Sequence, residues 1–307
     1  MTFPKKISIN NFTQILKTEI PKIITFDAYN TLYTTTLPIL EQYCLVGSAY
    51  GIHANPSELS KNFPQIFKDL ATKYPNYGKT SGLAPEQWWG YLIKNIFKPT
   101  DIPIEMVNEI LLRFEGSQAY AIHPDLLELL KYIKEMHPNV VMGIISNTDP
   151  IIFKVLENLG ILKYFKDYVY LSYDTGIKKP NVEVFNFVLK DIVKTNPSLN
   201  KGDLSNLKRQ CWHIGDELHN DMMAAKDAGW NGVLIDRINK SGYLTESFEH
   251  AVSDTPLLLR DKLHTNSEES WKISSVQTDL VQVSGREYVV PNFYVLKNLL
   301  FYQQNKS

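Results

Sequence analysis

The sequence predicts an α/β fold: a doubly wound, mainly parallel sheet with an all-helical segment inserted after the first strand. Three observations predict it. Short β-rich apolar runs recur along the chain, each ending in polar residues. Helical patterns lie between those runs, so strands and helices alternate, as in parallel sheets covered on both faces. One long interval, 34–121, carries helical patterns and no good strand.

The first strand is Lys22-Ile23-Ile24-Thr25-Phe26, which runs into Asp27. The interval after it holds helical stretches at 38–50, 56–74, 85–97 and 104–114. Pro56, Pro85 and Pro103 suit helix starts, and Gly51, Gly78 and Gly116 suit stops. We read this interval as a cap over the sheet, with Trp88 and Trp89 packed in its core. The next strand, 140–145, runs into Ser146-Asn147; 167–171 runs into Ser172; 211–214 runs into Gly215-Asp216; and 232–235 runs into Asp236. Helices are expected at 125–136, 150–159, 182–193 and 221–228. In such sheets the ligand crevice lies beyond the carboxyl ends of the strands, so one site can gather all those polar residues. Farther on, about 253–284 is polar and irregular, with 264–270 an exposed loop, followed by a last strand at 287–290 and a last helix at 292–302. The expected division is a core of 1–33 and 122–307, extended at 253–284, with a cap of 34–121.

Composition narrows the function. The chain has 307 residues, 44% hydrophobic and 21% charged, which suits one large unit plus a smaller insert. A formal net charge of -1 argues against nucleic acid or an anionic membrane as partner. Cys44 and Cys211 lie far apart, without zinc-type spacing, which argues against a disulfide scaffold or structural zinc. Two isolated thiols fit a reducing compartment, the cytoplasm first and the nucleus second. Lys17 and Lys22 make the first segment mildly basic, which leaves a mitochondrial presequence as the weaker alternative. No apolar run approaches the ~20 residues that span a bilayer. Oligomeric state is not legible.

Four short motifs carry the chemistry. Phe-Asp-Ala-Tyr-Asn-Thr-Leu occupies 26–32, and Ile-Ser-Asn occupies 145–147. Gly-Ile-Lys-Lys-Pro-Asn occupies 176–181, with Phe185 following. Gly-Asp-Glu-Leu-His-Asn-Asp occupies 215–221, trailed by Ala224-Ala225 and Ala228-Gly229. In this order, each at a strand end, they resemble the four motifs of the haloacid dehalogenase-like hydrolase superfamily. The cap between the first two motifs resembles its helical-cap subfamily, and the match covers most of 23–236. The resemblance implies a Rossmann-like core and a hydrolase acting on a small, phosphorylated molecule with Mg²⁺.

Each implied role has a physical reason. A carboxylate nucleophile, Asp27, forms an acyl-phosphate or ester intermediate and splits one difficult displacement into two. Thr31 and Ser146 offer hydroxyls to a phosphoryl oxygen, and Asn147 belongs to the same substrate loop. Lys179 offsets the repulsion between nucleophile and anionic substrate; Lys178 is the alternative, and the family register favours Lys179. Asp216, Asp27 and the backbone carbonyl of Tyr29 are oxygen ligands suited to Mg²⁺, with Asp221 completing or supporting the acidic site.

One position departs from the pattern. Phosphatases of this superfamily carry a second Asp two residues after the nucleophile, as general acid/base; here it is Tyr29. A phenol with an ordinary pKa of about 10 is a poor proton donor-acceptor at neutral pH. The chain resembles eukaryotic members that keep the metal carboxylates without that Asp. A weak or specialised Mg²⁺-dependent phosphatase is the first reading. A non-catalytic protein that binds a phosphorylated ligand is the alternative. Tyr29 also resembles the 2-haloacid dehalogenases, but those use an Arg early in the cap, and no Arg precedes Arg113. They also lack the Gly-Asp metal motif. His219 titrates in the range of the missing acid but reads as a solvent-facing loop residue; His213 reads as structural and His123 as a loop residue.

Overall fold

The computed structural model describes residues 4–9, 19–165, 167–199, 203–245 and 266–301. Their main sheet has eight strands: β1 (Lys5–Ser8), β2 (Ile23–Phe26), β5 (Val141–Ser146), β6 (Val169–Leu171), β7 (Cys211–Gly215), β8 (Asn231–Ile235), β9 (Asp279–Ser284) and β10 (Glu287–Val290). Their order is β1-β9-β10-β8-β7-β2-β5-β6. The pairs β6/β5, β5/β2, β2/β7, β7/β8 and β8/β10 are parallel, while β9 runs antiparallel to both β10 and β1. The fold is thus mixed α/β with a mostly parallel sheet, as the alternation of runs predicts. Register fixes the site: Phe26 lies opposite Ile144 on one side and Ile214 on the other. The residues just beyond, Asp27, Ser146 and Asp216, therefore leave three adjacent strands at nearly the same level.

Helices cover both faces because their apolar residues recur at helical spacing. In the helix Pro124–Met136, Leu126, Leu129, Leu130 and Ile133 fall on one buried side. They join Phe26, Ile144, Phe293 and Leu296 in one core layer. In the helix Glu183–Thr195, Phe185, Val188, Leu189 and Ile192 do the same against Ile23, Ile145 and Trp230 on the other face. Each fully buried Leu, Ile or Phe contributes roughly 1.5–3 kcal/mol to the packing. Pro124 opens its helix at the first position, where its missing N–H costs nothing.

Between the first and second parallel strands lie four helices, α1 (Ile39–Ala49), α2 (Pro56–Lys73), α3 (Pro85–Ile96) and α4 (Ile104–Arg113). They share their own apolar cluster around Trp88, Leu92, Met106 and Ile110. The sequence reading found no strand in this interval. The structure corrects that: β3 (Tyr33–Thr35) pairs antiparallel with β4 (Tyr120–Ile122), closing the helical segment at its two ends. Unlike the run at 167–171, β3 reads Tyr-Thr-Thr, polar at two of three positions, so no apolar run marks it or its partner as a pair.

The C-terminal part differs further from expectation. An exposed loop was expected at 264–270; residues 264–265 lie outside the described residues, and the helix Ser267–Ser274 occupies the rest. Asn266 caps it, accepting from Glu268 N at 3.0 Å and Glu269 N at 3.2 Å. The irregular stretch expected to 284 ends instead in β9, and β1 was not expected at all. The strand and helix expected at 287–290 and 292–302 are present as β10 and Phe293–Phe301, with residue 302 outside the described residues. Among the described residues no helix is long and apolar enough to cross a membrane.

Candidate active site

Asp27 follows β2, and its N–H donates to Ile214 O at 2.8 Å, which ties the turn to β7. The Lys179 ammonium, only 3% exposed, donates to Asp27 Oδ1 at 2.8 Å and to Asp221 Oδ1 at 2.6 Å. Lys178 is exposed, so the choice between the two lysines falls on Lys179. The segment carrying Lys179 is held by Asn147, whose Oδ1 accepts from Lys179 N and whose Nδ2 donates to Lys179 O, both at 2.8 Å. This two-bond clamp joins the loop after β5 to the loop before Glu183–Thr195.

Gly215 explains why Asp221 reaches the site. A Cβ there would fall 2.1 Å from Asp221 Cγ, so only glycine lets the carboxylate lie against the strand end. The segment Leu218–Met223 forms a π-helical turn before the short helix Ala224–Asp227, where an ordinary helix from 221 was expected. That turn packs against β8 at Gly232, where a Cβ would meet Met222 O at 2.0 Å.

The carboxylate oxygens of Asp27, Asp216 and Asp221 lie within 4.8 Å of one another. Their hydrogen bonds separate their roles. Asp221 Oδ1 accepts from Lys179 and lies 3.2 Å from His213 Nε2, while its Oδ2 accepts from Glu217 N at 2.9 Å. Burial alone would raise the Asp221 carboxyl, but Lys179, followed by His213, reverses this and holds it ionised well below the usual range. Burial alone would lower the Lys179 ammonium, and Asp221 and Asp27 outweigh it, so its pKa is raised. Asp27 and Asp221 each give one oxygen to Lys179, and together with Asp216 they present the hard carboxylate oxygens that fit a divalent cation.

His213 was read as structural, and the structure places it directly behind the site. It is fully buried on β7, with Thr25 Oγ1 2.9 Å from its Nδ1 and Lys179 Nζ 3.5 Å from its Nε2. Burial, then the charge of Lys179, lowers its pKa and keeps it neutral. In the tautomer with hydrogen on Nε2, His213 donates to Asp221 and turns Nδ1 to the Thr25 hydroxyl, which also lies 3.3 Å from Trp212 O. The only signal in the sequence is a histidine on an apolar strand two residues before Gly-Asp.

The other expected residues lie around this centre. Ser146 is buried at the end of β5. Thr31 is fully buried in the turn after Asp27, and its hydroxyl meets no hydrogen-bond partner among the described residues. Tyr29 is half-buried in the same turn, with its ring 6.1 Å from Tyr33 and 6.2 Å from Tyr120. His219 is half-exposed in the 218–223 turn. Sequence reasoning missed the residues by which the helical segment meets this centre. Tyr77 Oη donates to Asn147 O at 2.9 Å, and Trp89 Nε1 donates to Asp149 Oδ2 at 2.8 Å. Trp89 packs against the helical cluster, as expected, and its indole N–H also reaches across.

Comparison with known proteins gives a consistent picture. A family model described as haloacid dehalogenase-like hydrolase matches residues 21–229. An uncharacterized protein of Saccharomyces cerevisiae is 49% identical over 300 residues, covering 97% of this chain and 99% of that one. An uncharacterized hydrolase of Schizosaccharomyces pombe is 38% identical, covering 70% of this chain and 90% of that one. In fold, the chain resembles the L-2-haloacid dehalogenase of Xanthobacter autotrophicus, with a TM-score of 0.53, 14% identity and coverage of 92% and 98%. It also resembles a magnesium-bound hydrolase of Bacillus subtilis, with a TM-score of 0.51, 16% identity and coverage of 72% and 92%.

Proposed function

Because the chain belongs to the haloacid dehalogenase-like hydrolase family, we propose that it is a Mg²⁺-dependent phosphohydrolase for small molecules, with Asp27 as nucleophile. The observation that carries this reading is the Lys179 ammonium held between Asp27 and Asp221, with Asp216 beside them. A buried carboxylate that must attack an anionic phosphoryl group needs a neighbouring cation, and Lys179 is placed to supply it.

In the proposed reaction Asp27 attacks phosphorus, and the leaving group departs with the bonding electron pair. Water then cleaves the acyl phosphate and returns Asp27. Ser146 and the N–H groups of its loop hold phosphoryl oxygens, and Asn147 fixes the backbone of Lys179. Thr31 supports the nucleophile turn from within, its hydroxyl being buried. His213 and Thr25 hold Asp221 against Lys179. Asp27, Asp216 and the Tyr29 carbonyl are the oxygen ligands that fit Mg²⁺, which when bound neutralises phosphoryl charge. Asp221 supports them through Lys179. We take residues 34–121 as a cap that excludes water, over a core of 1–33 and 122–307. Cys44 and Cys211 are free thiols, in keeping with a cytoplasmic setting.

Tyr29 limits the substrates. Without a positioned acid, alkoxide departure loses on the order of 10²- to 10⁴-fold, whereas phenolate or acyl leaving groups depart unaided. The same residue favours a second reading, a protein that binds a phosphorylated ligand without turning it over. Dehalogenation is less well supported: Arg113, the first arginine, is engaged by Gln42 Oε1 at 2.8 Å and Gln118 O at 3.2 Å.

The test is hydrolysis of an aryl phosphate with and without Mg²⁺. Turnover that needs the cation and disappears in Asp27→Asn is expected. Activity that survives Asp27→Asn in pure protein sinks the nucleophile, and tight phosphometabolite binding with no turnover favours the binding protein.

A further inference from the structure

We propose that Asp149, together with Trp89 and Tyr77, forms the leaving-group subsite, and that this subsite takes a leaving group carrying a positive charge. The inference rests on the phosphohydrolase reading above and names the substrate class of that same site.

Position comes first. In-line displacement sends the leaving group away from the nucleophile. Asp27 sits at the sheet end, so the leaving group points toward the helical segment. There Tyr77 and Trp89 meet the loop 147–149 that continues directly from Ser146. Tyr77 and Trp89 stack on each other, with centroids 5.9 Å apart and an interplanar angle of 29°. Tyr33, in the turn after the nucleophile, lies within electrostatic reach of Asp27, Tyr29, Asp149 and Tyr77, so this corner and the nucleophile share one neighbourhood.

Charge comes second. Asp149 is only 2% exposed. Its Oδ1 accepts from Ile151 N at 2.9 Å and its Oδ2 from Trp89 Nε1. Among the described residues no lysine, arginine or histidine pairs with it. The bond from Ile151 N, in the turn that enters the helix Ile152–Asn158, accounts for one oxygen, and an uncharged Asn would accept it as well. Buried carboxylates are normally paired, because the charge costs several kcal/mol to bury alone. Burial accordingly pushes the Asp149 carboxyl up, and Glu86 on α3 adds to the push. A cation on the substrate supplies the missing counter-ion and faces the Tyr77–Trp89 stack, which attracts cations through ring quadrupoles. A second phosphate or carboxylate in that place meets a like charge.

Three matched aryl phosphates test this: phenyl phosphates bearing a para aminoethyl, ethyl or carboxyethyl group. All leave as phenolates, so the missing acid affects them alike. The wild-type protein is expected to show kcat/KM for the aminoethyl compound about 10- to 100-fold above the carboxyethyl compound, the worth of one charge-assisted bond. Asp149→Asn should bring that ratio close to one. Wild-type turnover of all three within about twofold, or an unchanged ratio in Asp149→Asn, overturns the subsite and leaves the phosphohydrolase standing. No Mg²⁺-dependent turnover of any of the three removes both. The wild-type ranking decides the matter even if the variant fails to fold.

Discussion

At the scale of single residues, Tyr29 is the position on which the proposed chemistry turns. Its ring packs against Tyr33 and Tyr120, in the turn that carries Asp27. Replacing it by a carboxylic acid places a proton donor two residues from the nucleophile. Tyr29→Asp is therefore expected to raise turnover of alkyl phosphates on the order of 10²-fold or more, read as phosphate release. An unchanged rate would show that the departing oxygen draws its proton from elsewhere. The buried histidines give a second, independent expectation. Burial, then Arg237, lowers His123 from 6.5 to about 3, and burial also lowers His213. A histidine held neutral in the fold takes its proton first in the unfolded chain. Its contribution to stability is therefore complete above pH ~6.5 and is lost as pH falls toward the folded value, at about 1.4 kcal/mol per unit and group. Urea melts from pH 7 to 4 should show this slope, and His123→Phe should reduce it; an identical slope in the variant removes His123 as a cause. Asp27, Ser146 and Asp216 were legible by residue type at strand ends, whereas Lys179 and Asp221, eight and six residues beyond theirs, were reached through the resemblance of the four motifs. His213 with Thr25, and Asp149 with Trp89, were reached by neither. Those contacts join positions 188 and 60 residues apart, and no local spacing encodes them.

At the scale of elements, strand ends rather than strands make the site. β2 sits between β5 and β7, and the shared level of Phe26, Ile144 and Ile214 brings three different loops to one end of the sheet. Gly215 is the hinge of that arrangement, since any side chain there displaces Asp221 from Lys179. Gly215→Ala is expected to cost about 1–3 kcal/mol in a thermal or urea melt. It should also weaken Asp27-dependent turnover, because Lys179 loses one of its two carboxylates. A variant of wild-type stability and rate would mean that the turn at 218–223 yields without effect. The parallel strands were readable because each is a continuous apolar run buried on both faces. β1 and β9 were not, because each is mixed in character: Lys5–Ser8 is only partly buried and Asp279–Ser284 alternates with polar residues. The helix Ser267–Ser274 was taken for loop because its sequence is polar, and its cap residue, Asn266, suits a turn equally well.

At the scale of the whole molecule, the sheet does not stop where the family match does. Outside residues 21–229, β8, β10, β9 and β1 continue it, and the helix Phe293–Phe301 packs Phe293, Leu296 and Leu300 into the same core layer as Phe26 and Leu130. One buried ion pair ties these parts together. Asp125, at the start of the helix Pro124–Met136, receives Arg237 Nη2 at 3.1 Å and Phe293 N at 2.7 Å. The Arg237 guanidinium lies over the rings of Phe293 and Trp271, 5.0 and 6.0 Å from their centroids. The extension thus shares the core rather than hanging from it. Arg237→Met strands a buried carboxylate and is expected to cost about 3–5 kcal/mol, with part recovered when Asp125→Asn is added, since the second change removes the orphaned charge. A stronger form of the argument is truncation after residue 245. It strips β8 of its β10 partner and uncovers the apolar side of Pro124–Met136, an edge and a patch that favour association over folding. The shortened chain, although it retains every residue of the proposed catalytic centre, is expected to lose cooperative melting and accumulate in the insoluble fraction. A soluble product that melts cooperatively and hydrolyses aryl phosphate at the full-length rate would show that the extension decorates the enzyme and does not build it.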